Sequence, residues 1–195
     1  MSDGVVHIDL LRHGETVGGT RFRGSLDDPL TDEGIRQMEC AVANAGPWDE
    51  IVTSPLSRCA AFAASLAQRL SIPLEIDERL REIHFGDWEG RSYAELMATA
   101  PLALTRFLGD PLRHPPPGAE SVEAFRERTL DALWDRLTAH NLGRRLLLVT
   151  HGGVIRVMLC HARQWPLARL LEIDVPHASL HSLCGSGQRC EEVRP

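Results

Sequence analysis

The sequence predicts an α/β fold: a three-layer α/β/α sandwich around a mostly parallel central sheet, built as one domain over residues 1–195. Three observations predict it. Short apolar strands alternate with amphipathic helices along the chain, the order that yields a layered α/β domain. The run Leu146–Val149 is apolar at every position, as expected of a strand buried on both faces. A length of 195 residues suits one compact core, since domains span roughly 50–250 residues.

The elements follow in order. In Val5–Leu11, Val6, Ile8 and Leu10 alternate with His7 and Asp9, which predicts a buried strand ending at Arg12. Thr16–Pro29 is rich in Gly and Asp and reads as a loop. Thr31 caps a helix with Asp32 and Glu33 in its first turn, where negative charge complements the dipole; Ile35, Met38 and Val42 follow at helical spacing. Gly46-Pro47 ends it. Glu50–Thr53 is a second strand. Ser54 then caps a helix with Pro55 in its first position, and Leu56, Cys59, Ala63, Leu66 and Leu70 form one apolar stripe. Pro73–Ile76 is a third strand.

Ser92–Leu108 has weaker helical patterning, interrupted by Pro101, and Asp110–Ala119 reads as a loop because of Pro115-Pro116-Pro117-Gly118. Residues 87–120 are expected to form an insertion that walls a substrate pocket. Ser121 caps a helix with Val122, Phe125, Leu130, Leu133, Trp134 and Leu137 inward, stopped by Asn141-Leu142-Gly143. After Leu146–Val149, Thr150-His151-Gly152-Gly153 leads into an apolar helix over Val154–His161. Leu171–Val175 and Ala178–Cys184 are read as strands. The tail 185–195 is read as a weak hairpin or a frayed end.

Composition narrows the function. A net charge of −6 disfavours a nucleic-acid or anionic-membrane partner. All 21 basic residues are Arg, so neither a P-loop lysine nor a Schiff-base lysine is available. Any phosphate clamp must use Arg, His and backbone N–H groups. The 5 cysteines are odd in number and lack a Cys-x-x-Cys pair, which fits free thiols in a reducing compartment. Met1–Gly4 carries Asp3 rather than a basic leader, and no apolar run nears the ~18 residues of a membrane span. The expectation is a cytoplasmic protein with no membrane partner, and a homodimer is compatible with it.

Ligands bind such sheets at the carboxyl ends of the strands. His13 follows the first strand and His151 the buried strand near the end, so both are expected there. In Arg12-His13-Gly14-Glu15-Thr16, an imidazole beside a guanidinium can attack or bind a phosphoryl group, and Gly14 permits close backbone approach. The bland alternative is a histidine packed at a strand end. Arg58 falls in the first turn of a helix, where backbone N–H groups already favour anions; a solvated surface arginine is its alternative. Glu82 precedes an aromatic, Gly-containing loop and is a candidate general acid, with Glu89, Asp87 and His84 competing on chemical grounds. Trp88 reads as core or pocket wall. His151-Gly152-Gly153 at a helix start is a plausible oxyanion site. Metal-binding spacings are missing among the 9 histidines. His177 and His181 are four apart, but on a predicted strand, and read as ordinary polar residues. No Gly-x-Ser-x-Gly elbow occurs.

Together, Arg12-His13-Gly14-Glu15-Thr16 with Asp28-Pro29-Leu30-Thr31 and Gly34, Ser54-Pro55-Leu56-x-Arg58, Glu82-x-x-Phe-Gly-x-Trp-Glu-Gly and Thr150-His151-Gly152 resemble the histidine phosphatase superfamily, the phosphoglycerate-mutase-like family. The resemblance runs from about Ile8 to about Ser182. It implies that His13 is the nucleophile, forming a phosphohistidine. Arg12, Arg58 and His151 would hold the phosphoryl oxygens, and Glu82 would protonate the leaving oxygen and then activate water. No metal and no cofactor are implied, and the partner would be a small phosphate ester. Many members carry an Asn near the position of Gly19 and a Gln before the later Gly; this chain has Gly18-Gly19-Thr20-Arg21-Phe22-Arg23-Gly24. Arg21 or Arg23 is the expected substitute, with Gly152 and Trp88 also at the substrate. The Glu82–Gly90 segment, Pro116-Pro117-Gly118-Ala119-Glu120-Ser121 and the loop from Arg23 to Thr31 resemble the alpha-ribazole phosphatase branch. A phosphoglycerate mutase is the alternative enzyme, disfavoured by the short, lysine-free chain. A non-catalytic phospholigand-binding module is the alternative of another class, disfavoured because nucleophile and acid are both present.

Overall fold

In the computed structural model, which describes residues 4–193, β1 (Val6–Arg12) lies inside a six-stranded sheet. The other strands are β2 (Glu50–Thr53), β3 (Leu74–Ile76), β4 (Arg145–Thr150), β5 (Leu180–Ser186) and β6 (Arg189–Val193). Their order is β3-β2-β4-β1-β5-β6. β3, β2, β4 and β1 run parallel, and β5 pairs antiparallel with β1 on one side and with β6 on the other. The helices are α1 (Asp32–Val42), α2 (Ser57–Leu70), α3 (Tyr93–Thr99), α4 (Pro101–Gly109), α5 (Val122–Arg136) and α6 (Gly152–Ala162).

The apolar run of β4 is explained by layering. Leu146 and Leu148 pack with Phe125 and Leu133 of α5 and Val154 and Met158 of α6. Leu147 and Val149 pack with Met38 of α1 and Cys59, Phe62 and Leu66 of α2. Each such buried side chain contributes about 1.5–3 kcal/mol relative to exposure. One carboxylate lies inside this sheet, and it is satisfied: Asp9 accepts from Trp48 Nε1 at 2.7 Å, Arg145 Nε at 2.8 Å and the Ser182 hydroxyl at 2.6 Å.

Local signals explain most helix ends. The Thr31 and Ser121 hydroxyls accept from the N–H groups of Gly34 and Ala124 at 2.9 and 3.1 Å. Pro101 does not kink one helix; it starts α4, with only Ala100 between it and the end of α3 at Thr99. Along the apolar stripes, Ile35 and Leu70 are the exceptions, being 44% and 42% exposed.

Two expectations need correction. Helix α2 starts at Ser57 rather than Pro55. The Ser54 hydroxyl accepts from the Leu56 N–H, ahead of the helix, at 3.3 Å and also pairs with His151, while Asp27 accepts from the Ser57 N–H at 2.7 Å. Leu171–Val175 is not a strand: Leu167–Glu172 forms a 3-10 turn, and the chain then runs irregularly. The sheet edge that such a strand would need is occupied, since β5 pairs with β1 from Val6↔Gly185 to Leu11↔Leu180. Of the two readings of the tail, the hairpin is the one found over 185–193, where β6 pairs with β5; 194–195 lie outside the described residues. Among the described residues, no helix is long and apolar enough to cross a membrane.

Candidate active site

The strand order brings the ends of β2, β4 and β1 side by side. The His13 N–H donates to Thr150 O at 3.0 Å, and the Ser54 N–H to Val149 O at 3.0 Å. Thus His13, His151 and the start of α2 converge although they are far apart in sequence. The turn after β1 is tight enough to require glycine twice. A Cβ on Gly14 would lie 2.1 Å from Gly34 O, and one on Gly34 would lie 2.1 Å from Glu15 O. This mutual approach ties the first loop to α1.

His13 is 6% exposed and faces a cavity of about 310 Å³. Its Nδ1 lies 2.8 Å from Gly14 O. A carbonyl only accepts, so Nδ1 carries the proton and Nε2 keeps its lone pair. Arg12 also faces the cavity. Its Nη1 donates to Val175 O at 2.5 Å, while its Nε is buried with no hydrogen-bond partner among the described residues. Burial chiefly lowers its pKa to about 10, with Glu82 opposing and Arg156 adding to the drop. An unpaired buried N–H on a cation is a ready anion contact.

Arg58 and His151 lie beneath, both fully buried. Arg58 Nε donates to His151 Nδ1 at 3.2 Å, which leaves Nε2–H of His151 to donate to the Ser54 hydroxyl at 2.7 Å. Arg58 further donates to Leu26 O at 2.8 Å and Gly24 O at 2.9 Å. Both therefore brace the site, with their polar atoms already paired, and neither lines the cavity. The His13 and His151 rings meet edge-on at 5.3 Å.

Glu82 lines the cavity, and its oxygens accept from Gly153 N–H at 2.9 Å and Ile83 N–H at 3.0 Å. A side chain at position 153 would displace the carboxylate, since a Cβ there would lie 2.2 Å from Glu82 Oε1. The competing groups are engaged elsewhere or face away. Glu89 accepts from the N–H groups of Gly24, Ser25, Leu26 and Phe85, which pins two loops together. His84 Nδ1 accepts from Gly86 N–H at 3.0 Å, and Asp87 is exposed.

The predicted substrate residues separate. Arg21, Arg23 and Gly152 line the cavity. Arg23, however, spends its donors on Asp28, Val17 O and Gly19 O, so it stiffens its own loop. Arg21 is held by Gly18 O. Trp88 does not line the cavity. It is 4% exposed and backs Phe22, ring centroids 5.2 Å apart, in a small aromatic cluster.

Sequence reasoning missed two residues. His177 lines the cavity with its ring 5.6 Å from that of His13. The loop is tied in place by Ala178 N–H to His13 O at 3.2 Å and Arg12 N–H to Ser179 O at 3.1 Å. Arg128 of α5 holds the Glu82 segment by donating to the carbonyls of Arg79, Arg81 and Glu82 and to the Glu120 carboxylate. Among the described residues, no group of three or more His, Cys, Asp or Glu side chains is placed to hold a metal ion.

Burial dominates the electrostatics of the histidines. It pulls His13 and His151 well below the usual imidazole range, against the Gly14 hydrogen bond at His13 and with help from Arg58 at His151. Burial, then Arg12 and Arg23, lowers His177 to about 4, and burial lowers His181 as well. An unfolded chain protonates these rings near pH 6.5, roughly the free value, and the folded chain only lower. In that interval the unfolded state binds more protons, so stability falls as pH falls. Denaturant titrations should show stability level above about pH 7.5 and declining below about pH 6.5. A flat profile down to about pH 5 would contradict the buried, neutral state of these rings.

The histidine phosphatase superfamily (branch 1) model matches residues 8–194. The glucosyl-3-phosphoglycerate phosphatase of Mycolicibacterium vanbaalenii is 37% identical over 160 residues, covering 76% of this chain and 70% of that protein. The adenosylcobalamin/alpha-ribazole phosphatase of Salmonella typhimurium is 29% identical over 170 residues, covering 85% of this chain and 84% of that one. The native structure of a mycobacterial glucosyl-3-phosphoglycerate phosphatase superposes with a TM-score of 0.84 at 29% identity, covering 96% of this chain and 97% of that one.

Proposed function

We propose, from the premise that this chain belongs to the histidine phosphatase superfamily, that it hydrolyses a small phosphate monoester through a phosphohistidine on His13 without a metal. The observation that carries this reading is the tautomer: Nδ1 of His13 donates to Gly14 O, which leaves the lone pair on Nε2 of a ring that lines the cavity. Nε2 attacks phosphorus, the ester P–O bond breaks, and Glu82 gives its proton to the leaving oxygen. Water then attacks the phosphoryl group, Glu82 takes the water's proton, and the N–P bond breaks to release phosphate. Positioned charge supplies most of the acceleration in such transfers.

Arg12 takes the first phosphoryl contact through its unpaired Nε, aided by the α6 N-terminus at Gly152. Arg58 and His151 support the site through these bonds; to touch the phosphoryl group they must exchange Leu26 O, Gly24 O and Ser54 for its oxygens. The finer reading of the substrate is alpha-ribazole 5'-phosphate, supported by the likeness to the Salmonella enzyme. We place the protein in the cytoplasm, a reading supported by its five free cysteines.

A phosphate-ester panel in excess chelator tests the reading. Turnover by pure protein is expected, with alpha-ribazole 5'-phosphate ahead of 3-phosphoglycerate and no interconversion of phosphoglycerates. Loss of turnover on chelation, or no turnover at all, would refute metal-free hydrolysis.

A further inference from the structure

The loop between the 3-10 turn Leu167–Glu172 and β5 carries a group that the reaction above leaves unused. His177 lines the His13 cavity, its ring 5.6 Å from that of His13 and tilted by 41°. Backbone bonds fix this spacing. His13 O accepts from Ala178 N–H at 3.2 Å and Ser179 O from Arg12 N–H at 3.1 Å, so the loop is laced to the strand end that bears the nucleophile. Within the loop, Ser179 N–H donates to Pro176 O at 3.1 Å and closes a turn over His177 and Ala178. Ala178 has φ 55°, in the left-handed region, which disfavours any residue with a Cβ. Its methyl is buried in the apolar cluster of Leu11 and Met38, and this anchor holds the turn against that preference. A strained turn kept at a cavity wall points to a use for the side chain it presents.

The loop arginines that could serve the phosphoryl group are occupied. Arg21 is held by Gly18 O, and Arg23 by Asp28, Val17 O and Gly19 O. Neither ring nitrogen of His177 is hydrogen-bonded among the described residues. Desolvation, then Arg12 and Arg23, lowers its pKa to about 4, so near neutral pH the ring carries one N–H and one lone pair. Such a donor adds direction without adding another cation to a cavity already lined by Arg12, Arg21, Arg23 and Arg156. Its place decides which oxygen it meets. In an in-line transfer the attacking nitrogen and the leaving oxygen are axial, and charge spreads over the equatorial oxygens. His177 stands beside the nucleophile, fastened to the same strand end, whereas Glu82 is fastened to Gly153 and Ile83. It therefore addresses an equatorial oxygen and not the axial one that Glu82 protonates.

We propose that His177 is a further catalytic residue, whose imidazole N–H donates to an equatorial phosphoryl oxygen in the transfer to His13 and again in the transfer to water. It supplies the contact that the sequence assigns to Arg21 or Arg23. The proposal rests on the phosphatase reading. The test compares His177→Ala and His177→Gln with the parent protein on n-propyl phosphate and nitrophenyl phosphate, and measures inhibition by orthovanadate, which mimics the five-coordinate phosphorus. His177 is exposed at the cavity wall, so both variants should keep the parent denaturant midpoint. His177→Ala is expected to lower kcat/KM roughly ten- to a hundredfold, the span for one hydrogen bond to a charged group, and to weaken vanadate by a similar factor. The loss should be equal on the two esters, because the contact does not involve the leaving oxygen. His177→Gln, whose amide N–H can reach the same oxygen, should recover most of both losses. Parent-like kcat/KM and vanadate inhibition in His177→Ala would overturn the proposal and leave the phosphatase reading intact. A loss in His177→Gln as deep as in His177→Ala would overturn it, as would a loss confined to the alkyl ester, which would make His177 a proton donor to the leaving group. A parent protein that neither turns over either ester nor binds vanadate would overturn the phosphatase reading, and this role with it.

Discussion

His13→Ala is expected to lower kcat on the order of 10⁴-fold or more, as loss of a nucleophile does in a concerted site. It should also abolish the acid-labile, alkali-stable phosphoryl label seen after quenching with labelled ester. Folding should survive. The ring makes one side-chain hydrogen bond, to Gly14 O, and opens onto a cavity that water can fill. Its burial moreover penalises the imidazolium, so truncation removes a group that resists protonation. Circular dichroism and denaturant midpoints should therefore stay near the parent values. The second imidazole in the cavity makes the label informative. His177 lies 5.6 Å from His13, neutral over the same pH range. A label that persists in His13→Ala and disappears only when His177 is also replaced would move the nucleophile to His177. A label that persists in both would remove histidine chemistry from the cavity altogether.

The contrast between these histidines shows what the sequence made legible. His13 and His151 each follow a strand that patterning identifies, β1 by alternation and β4 by its unbroken apolar run, and strand ends are where sites form. Arg58 was readable for the same reason, as the first turn after β2. His177 was not. Leu171, Ile173 and Val175 alternate as a strand would, but the edge of β1 is already paired with β5, and tertiary pairing outranks local pattern. The apolar side chains of Ile173 and Val175 are buried all the same, from an irregular segment, and this carries His177 into the cavity. Arg128 looked like one more polar residue on α5. Only the packing of α5 against the Glu82 segment gives its guanidinium three carbonyls to hold. The four candidate acids of the Glu82–Glu89 segment were chemically equivalent in sequence. Their separation depends on which backbone N–H groups each one meets, a property of loops from Gly24 to Leu26 that no spacing rule encodes.

Glu82→Gln should separate the two halves of the reaction. With an alkyl ester, whose alkoxide leaves poorly, losing the proton donor is expected to cost roughly 10²–10⁴-fold, the usual span for general acid catalysis. With a nitrophenyl ester the leaving oxygen needs little help, and transfer to His13 should remain fast. Hydrolysis of the phosphohistidine still lacks its base, so the intermediate should accumulate. The expected signature is a burst of nitrophenol near one per active site, followed by slow turnover and a matching label on His13. The substitution carries a structural cost that must be measured alongside. Both oxygens of Glu82 accept from backbone N–H groups, Gly153 at 2.9 Å and Ile83 at 3.0 Å. A glutamine places its amide NH₂ against one of those donors, leaving an unmade buried pair worth about 1–3 kcal/mol. The variant should consequently unfold at lower denaturant while binding phosphate through an intact Arg12. Because that penalty acts equally on every substrate, it cannot mimic a leaving-group dependence. Equal losses on alkyl and nitrophenyl esters, without a burst, would refute Glu82 as the proton donor and return the assignment to Glu89 or Asp87.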